Sequence, residues 1–102
     1  MQQLLRSDHT ILASIIVLNR EDKPFGVRKI AQLSQYNKST VSRVIRRLRA
    51  GGYLRYERGP GRHYAYTILK MPNIEDLMAY LAAIEARIRI DNERRLSDGP
   101  DS

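Results

Sequence analysis

The sequence predicts a mainly α chain with a small β-hairpin, an α+β class, and three observations carry that prediction. Apolar residues recur at helical spacing in four separate stretches. Strict alternation appears once, between Tyr53 and Ile68, across a Gly-Pro-Gly segment. Basic charge is concentrated in the residues between these patterns. From Arg28 to Arg62 there are ten Lys or Arg against one acid, Glu57, a net +9, whereas the remaining residues sum to −2.

At 102 residues the chain is one small domain with an appendage. A chain of this size buries roughly 60–70% of its unfolded surface, enough for a core but not for a large internal cavity. No apolar run approaches the ~20 residues needed to span a bilayer, and the N-terminus lacks the layout of a signal peptide. There is no cysteine, which excludes disulfides and thiolate metal sites, and the two histidines, His9 and His63, lie far apart. These features predict a soluble, cytoplasmic protein with no metal or other cofactor. No paired His–acid constellation, metal-ligand cluster or phosphate-cradling glycine loop points to an enzyme.

Residues 1–7 are read as a lead. A first helix is predicted from a cap at Ser7 or Asp8 to about Asn19, with Ile11, Leu12, Ile15, Ile16 and Leu18 as its buried face. Pro24 breaks it, and Phe25-Gly26-Val27 is expected to form a brief extended segment pinning the loop to the core. Arg28–Ser34 reads as a short second helix with Ile30, Ala31 and Leu33 inward, followed by a tight turn at Gln35-Tyr36.

Asn37–Gly52 then reads NKSTVSRVIRRLRAGG. Asn37 is a strong N-cap, because its side-chain oxygen can accept a bond from an amide in the first turn. Val41, Val44, Ile45 and Leu48 form one narrow apolar stripe, while Ser39, Ser42, Arg43, Arg46 and Arg47 project away from it. Gly51 and Gly52 offer the left-handed residue that ends a helix. Helix, short turn and a second helix with an apolar underside make a helix-turn-helix unit. Beyond it, Tyr53–Glu57 and His63–Ile68 read as two strands joined by Arg58-Gly59-Pro60-Gly61-Arg62. Leu54 and Tyr56 are expected to face one way and pair with Tyr64, Tyr66 and Ile68. This hairpin is a wing.

Pro72 closes that region, and Asn73 can cap a last helix over about 73–96, with Glu75 and Asp76 suiting the dipole of its first turn. Ile74, Leu77, Leu81, Ile84 and Ile88 alternate three and four apart, with Met78 beside them, in the manner of a coiled-coil seam. Its length exceeds what a 60-residue domain can wholly cover, so the expectation is a homodimer formed through this helix, with a helix folded back on its own domain as the alternative. Residues 97–102 have the composition of a disordered tail.

Residues 8–69, about 60% of the chain, resemble a winged helix-turn-helix DNA-binding domain of the broad MarR-like and ArsR-like kind found in bacterial and archaeal regulators. Ile30-Ala31, Ser39-Thr40-Val41-Ser42-Arg43, Leu48 and Gly52-Tyr53-Leu54 carry the resemblance. One departure is Gln35, where many such domains place glycine. The resemblance implies a transcriptional regulator, most economically a repressor acting by occupancy. In related regulators small molecules bind between the DNA-binding domain and the dimer helices, but no effector is legible here.

The contacts with double-stranded DNA follow from chemistry. An α-helix fits the major groove, where Arg can bond bidentately to guanine and Ser or Thr can meet several bases. Ser39, Thr40, Ser42 and Arg43 are therefore the candidate base contacts, and Lys38, Arg46 and Arg47 the candidate phosphate contacts. Arg58, Arg62 and His63 at the wing tip are candidates for the backbone or minor groove. Two other functions fit the same pattern. A DNA-architectural or accessory protein of a plasmid, virus or mobile element would assemble on repeated sites. A protein-interaction winged helix would use the third helix and wing on a protein partner, against which the arginine-rich face argues.

Overall fold

A computed structural model describes residues 4–21, 24–59 and 64–97, with side chains of the last stretch described as far as Arg94. The elements run α1 (Arg6–Asn19), α2 (Val27–Ser34), α3 (Lys38–Ala50), β1 (Leu54–Arg58), β2 (Tyr64–Ile68) and α4 (Ile74–Ser97). Three helices and an antiparallel hairpin make the winged helix-turn-helix, and α4 is added behind it. Residues 60–63 of the hairpin connection and 98–102 of the predicted tail lie outside the described residues, while Ser97, placed in that tail, ends α4.

The first helix begins earlier than its expected cap. Its N-cap position is Leu5, and Asp8 sits in the first turn, where its Oδ2 accepts the Leu5 amide at 2.8 Å. A carboxylate there satisfies an amide that the helix itself cannot. The stripe expected on this helix is also too narrow. Asp8 through Ile15, with Val17 and Leu18, are all buried, while Ile16 is half-buried. Thr10 and Ser14 can be enclosed because each hydroxyl donates to the carbonyl four residues earlier, at 2.9 and 2.8 Å. α1 is thus the axis of the core, packed by α2, α3 and α4 and touching β2.

The helix-turn-helix follows from its local signals. Asn37 Oδ1 accepts the Thr40 amide at 2.8 Å, and Val41, Val44, Ile45 and Leu48 are the buried residues of α3. α2 buries Ile30 and Ser34, with Ala31 and Leu33 packed at the core's edge. Gln35 takes the left-handed conformation, φ 66°, that glycine would adopt without penalty. A side chain there costs about 1–2 kcal/mol, so the surrounding bonds must hold it. Gly51 keeps right-handed geometry, and Gly52, at φ 79°, is the residue that turns the chain out of α3.

In the wing, Leu54 pairs with Ile68, Tyr56 with Tyr66 and Arg58 with Tyr64. Opposed residues in an antiparallel pair share a face, so Leu54, Tyr56, Tyr64, Tyr66 and Ile68 line one side, as the alternation predicts. Arg55, Glu57, Ala65 and Thr67 form the exposed side. Phe25 adds the expected pin: its carbonyl accepts the Tyr64 amide at 3.1 Å, and its ring stacks on Tyr66 with centroids 5.0 Å apart. The tyrosines are packing residues.

The last helix folds back on the chain's own domain. Leu77 and Ile84, predicted for a partner subunit, are each 1% exposed within the chain's own core, and Leu81 and Ile88 pack beside them. The seam closes on α1, because α1 presents apolar surface on that side too. Burying two such side chains stabilises this docking by about 1.5–3 kcal/mol each. Ile74 and Met78 remain outward, each 62% exposed. Asn73 does cap the helix, its Oδ1 accepting the Glu75 amide at 3.2 Å. No helix among the described residues is long and apolar enough to cross a membrane.

Tyr66 makes the wing sensitive to base. Its pKa is raised from the ordinary 10.0 to about 12, first by burial and then by the neighbouring Tyr64 and Tyr56. A raised acid favours the protonated fold, so this stability is full below pH 10 and is lost as pH climbs toward 12. The loss is about 2–3 kcal/mol. Tyr66→Phe is expected to flatten the alkaline limb of a stability profile measured by urea unfolding; an unchanged limb would contradict the assignment.

Candidate nucleic-acid interface

The outer side of α3 is a consequence of its inner side. Once Val41, Val44, Ile45 and Leu48 are buried, the residues on the opposite arc have no core to join. Ser39, Ser42, Arg43 and Arg46 lie three, four and seven residues apart, which puts them on one face. Lys38, Ser39, Arg43 and Arg46 are exposed, and Thr40 and Ser42 are half-buried. The ion pairs among the described residues are Arg20–Glu85 and Arg47–Asp8. Lys38, Arg43 and Arg46 therefore make no ion pair among the described residues.

Arg47 is placed differently from its sequence reading as a phosphate ligand. Its Nε donates to Asp8 Oδ1 at 3.1 Å and its Nη2 donates to the same oxygen, so the guanidinium is committed to α1. Asp8 is 1% exposed and accepts the Leu5 amide with its other oxygen. A buried carboxylate requires such partners. The pair ties the reading helix to the axis of the core across 39 residues of sequence.

Two further groups extend the basic surface. Arg28 and Lys29, exposed in the first turn of α2, share with Lys38 and the acid Glu21 the wall of an open groove of about 770 Å³. Their place in the sequence's basic block was plain, but their meeting with Lys38 depends on the turn between the helices. On the wing, Arg58 is exposed at the end of β1, opposite Tyr64. Arg62 and His63 lie outside the described residues. Arg49 turns away from this surface, with its guanidinium 5.0 Å from the Tyr56 ring centroid, and so links α3 to the wing.

The residues named for a partner subunit divide into two sets. Leu77 and Ile84 are buried, Leu81 and Ile88 are half-buried against the same core, and Ile74 and Met78 are exposed. Sequence reasoning gave no role to Arg87, half-buried on α4. Its Nη1 donates to the Leu33 and Ser34 carbonyls at 3.1 and 3.2 Å, at the end of α2. These contacts span more than 50 residues, and no local spacing announces them.

Residues 15–58 match the IclR helix-turn-helix domain, a span from the middle of α1 to the end of β1. Among solved structures the chain is similar to T. potens IscR, with a TM-score of 0.50 and 15% identity over 91% of this chain and 78% of that one. At that identity the likeness is one of fold. No curated protein matches the chain. The matched domain spans fewer than half of the residues, and with the likeness of fold it supports a winged helix-turn-helix architecture. The helix-turn-helix model that matches is the IclR type, so the MarR-like or ArsR-like assignment gains no support from it.

Asp8→Ala leaves the Arg47 guanidinium against α1 with no counter-charge. The expected loss of stability is about 1–2 kcal/mol, less than for a fully buried pair because the Arg47 side chain stays 36% exposed. A loss under about 1 kcal/mol in chemical unfolding would show that solvent screens the pair as it does a surface one.

Proposed function

We propose that the protein is a homodimeric, sequence-specific regulator that binds double-stranded DNA and represses by occupying its site. The observation that carries this reading is the exposed face of α3, where Arg43 and Arg46 stand beside Lys38 with no acid paired to them among the described residues. Ser39, Thr40, Ser42 and Arg43 read base edges in the major groove. Lys38 and Arg46, joined by Arg28 and Lys29 from α2, hold phosphates and set the register. Arg58 brings the wing to the backbone or minor groove. Arg47 serves the interface indirectly, by fixing α3 against α1.

The dimer part of the proposal keeps Ile74 and Met78 from the residues read for a partner and replaces the buried Leu77 and Ile84 with the approach to α4. Four large apolar residues, Leu69, Met71, Ile74 and Met78, are exposed within ten positions at the start of α4 and its approach. Exposed apolar side chains this close in sequence suit an association site, and in this proposal a second copy covers them under a two-fold axis. Two reading helices then meet an inverted repeat with half-sites about one helical turn apart, on the order of 34 Å.

The roles separate under mutation. Arg43→Ala is expected to weaken binding to the preferred duplex by about 1–3 kcal/mol and to relax one base position. Arg58→Ala should weaken all duplexes alike and make the salt dependence shallower by about one charge. Equal, sequence-independent losses from both changes would remove α3 as the reading element.

Sedimentation of the unaltered chain at micromolar concentration should give the mass of two chains, and Met78→Glu should return it to one. A single-chain mass for the unaltered protein would refute the dimer while leaving DNA binding to its own test.

A further inference from the structure

The turn between α2 and α3 contains a conformational problem and its solution comes from a distant element. Gln35 stands at φ 66°, a conformation L side chains rarely adopt. Just before it, α2 ends in carbonyls that lack helical partners, and α2 has no basic residue in its own last turn. Arg87 of α4 supplies that cation. Its Nη1 donates to the Leu33 carbonyl at 3.1 Å and to the Ser34 carbonyl at 3.2 Å. No acid pairs with Arg87 among the described residues, so its charge is directed at the end of α2. The turn has two local bonds of its own: the Gln35 amide donates to the Ala31 carbonyl at 2.9 Å, and the Tyr36 amide reaches Ser34 Oγ at 3.4 Å, which is long.

We propose that Arg87 is a positioning residue for DNA recognition. Its guanidinium clamps the end of α2, keeps Gln35 left-handed and so fixes the direction in which α3 leaves the turn. α4 is anchored on the core by Leu77 and Ile84, the latter one turn before Arg87, so the clamp refers the reading helix to the back of the molecule. This makes α4 part of the DNA-binding machinery without touching DNA. The consequence for DNA rests on the function proposed above, whereas the clamp itself exists in the free protein.

The test uses the full chain with Arg87→Ala, Arg87→Lys, Gln35→Gly and the double variant Arg87→Ala with Gln35→Gly. Amide hydrogen exchange is followed without DNA, and affinity is measured for the duplex the unaltered chain prefers. Arg87→Ala should raise exchange at Gln35 and Tyr36 by about tenfold relative to the buried amides of α1. It should also weaken the duplex by about tenfold, with Arg87→Lys between the two because an ammonium cannot reproduce the guanidinium's geometry. Gln35→Gly should bind within about twofold of the unaltered chain and should restore most of the affinity lost in Arg87→Ala, since glycine holds positive φ unaided.

Unchanged exchange at the turn would overturn the clamp. An affinity loss that glycine at position 35 does not repair would overturn the positioning role and make Arg87 a direct DNA ligand or a packing residue. If Arg87→Ala fails to fold, Arg87→Lys carries the same two readouts. If the unaltered chain binds no duplex at low salt, the DNA-binding reading fails by itself, and exchange at Gln35 still decides the clamp.

Discussion

The enclosure of α1 on nearly every side is the constraint on which the remaining structure depends. A helix buried from Asp8 to Leu18 except at half-buried Ile16 must be surrounded largely by apolar surface, and the chain has limited means of supplying it. α3 gives the stripe Val41, Val44, Ile45 and Leu48, α2 gives Ile30, and α4 gives Leu77 and Ile84. Each of these elements is thereby oriented: what it spends on α1 determines what it leaves outside. On α3 the remainder is a hydroxyl-and-arginine face. On α4 it is a partly apolar flank at Ile74 and Met78. The polar groups trapped with α1 are accommodated in kind. Thr10 and Ser14 bond to the helix backbone, and Asp8 meets Arg47 and the Leu5 amide.

Much of this was legible where the cause is local. Asn37 followed by a four-residue apolar stripe defines α3 with little reference to anything else, and alternation across 53–68 defines the hairpin and its inner face. The contacts that depend on distant chain were hidden. Thr10 and Ser14 read as polar positions, so α1 looked amphipathic, although hydroxyls that bond four residues back can be enclosed. Arg47 read as one more cation on the outer arc, because nothing in the spacing reveals a carboxylate 39 residues away. Arg87 carried no signal for the same reason. The seam on α4 was ambiguous in a different way. A stripe at three-and-four spacing says that a face will be covered, and α1 of the same chain satisfies it as well as a second subunit does.

The long-range contacts share a direction. Asp8 holds Arg47 on α3, Arg87 holds the end of α2, Arg49 joins α3 to Tyr56 of the wing, and Asn19 Nδ2 donates to the Tyr66 carbonyl at 3.1 Å. Together they tie the helix-turn-helix and the hairpin to α1, to α4 and to each other. For a protein that reads a duplex, this matters more than added stability, because side chains that meet base edges must arrive at a fixed height and angle. The fold places an arc of Ser39, Ser42, Arg43 and Arg46 on the outer side of α3, with the Arg47 charge paired to Asp8 behind it. That arrangement suits a polyanion approaching from one side.

The most direct test of this account is selection from a random duplex library by the purified protein, with titration of the enriched sequences at several salt concentrations. The account predicts an enriched inverted repeat with half-sites about one helical turn apart, bound by two chains. Tight binding without sequence preference, falling steeply with salt, would contradict the reading of bases by α3 and leave only phosphate attraction. Absence of binding even at low salt would contradict the nucleic-acid interface altogether.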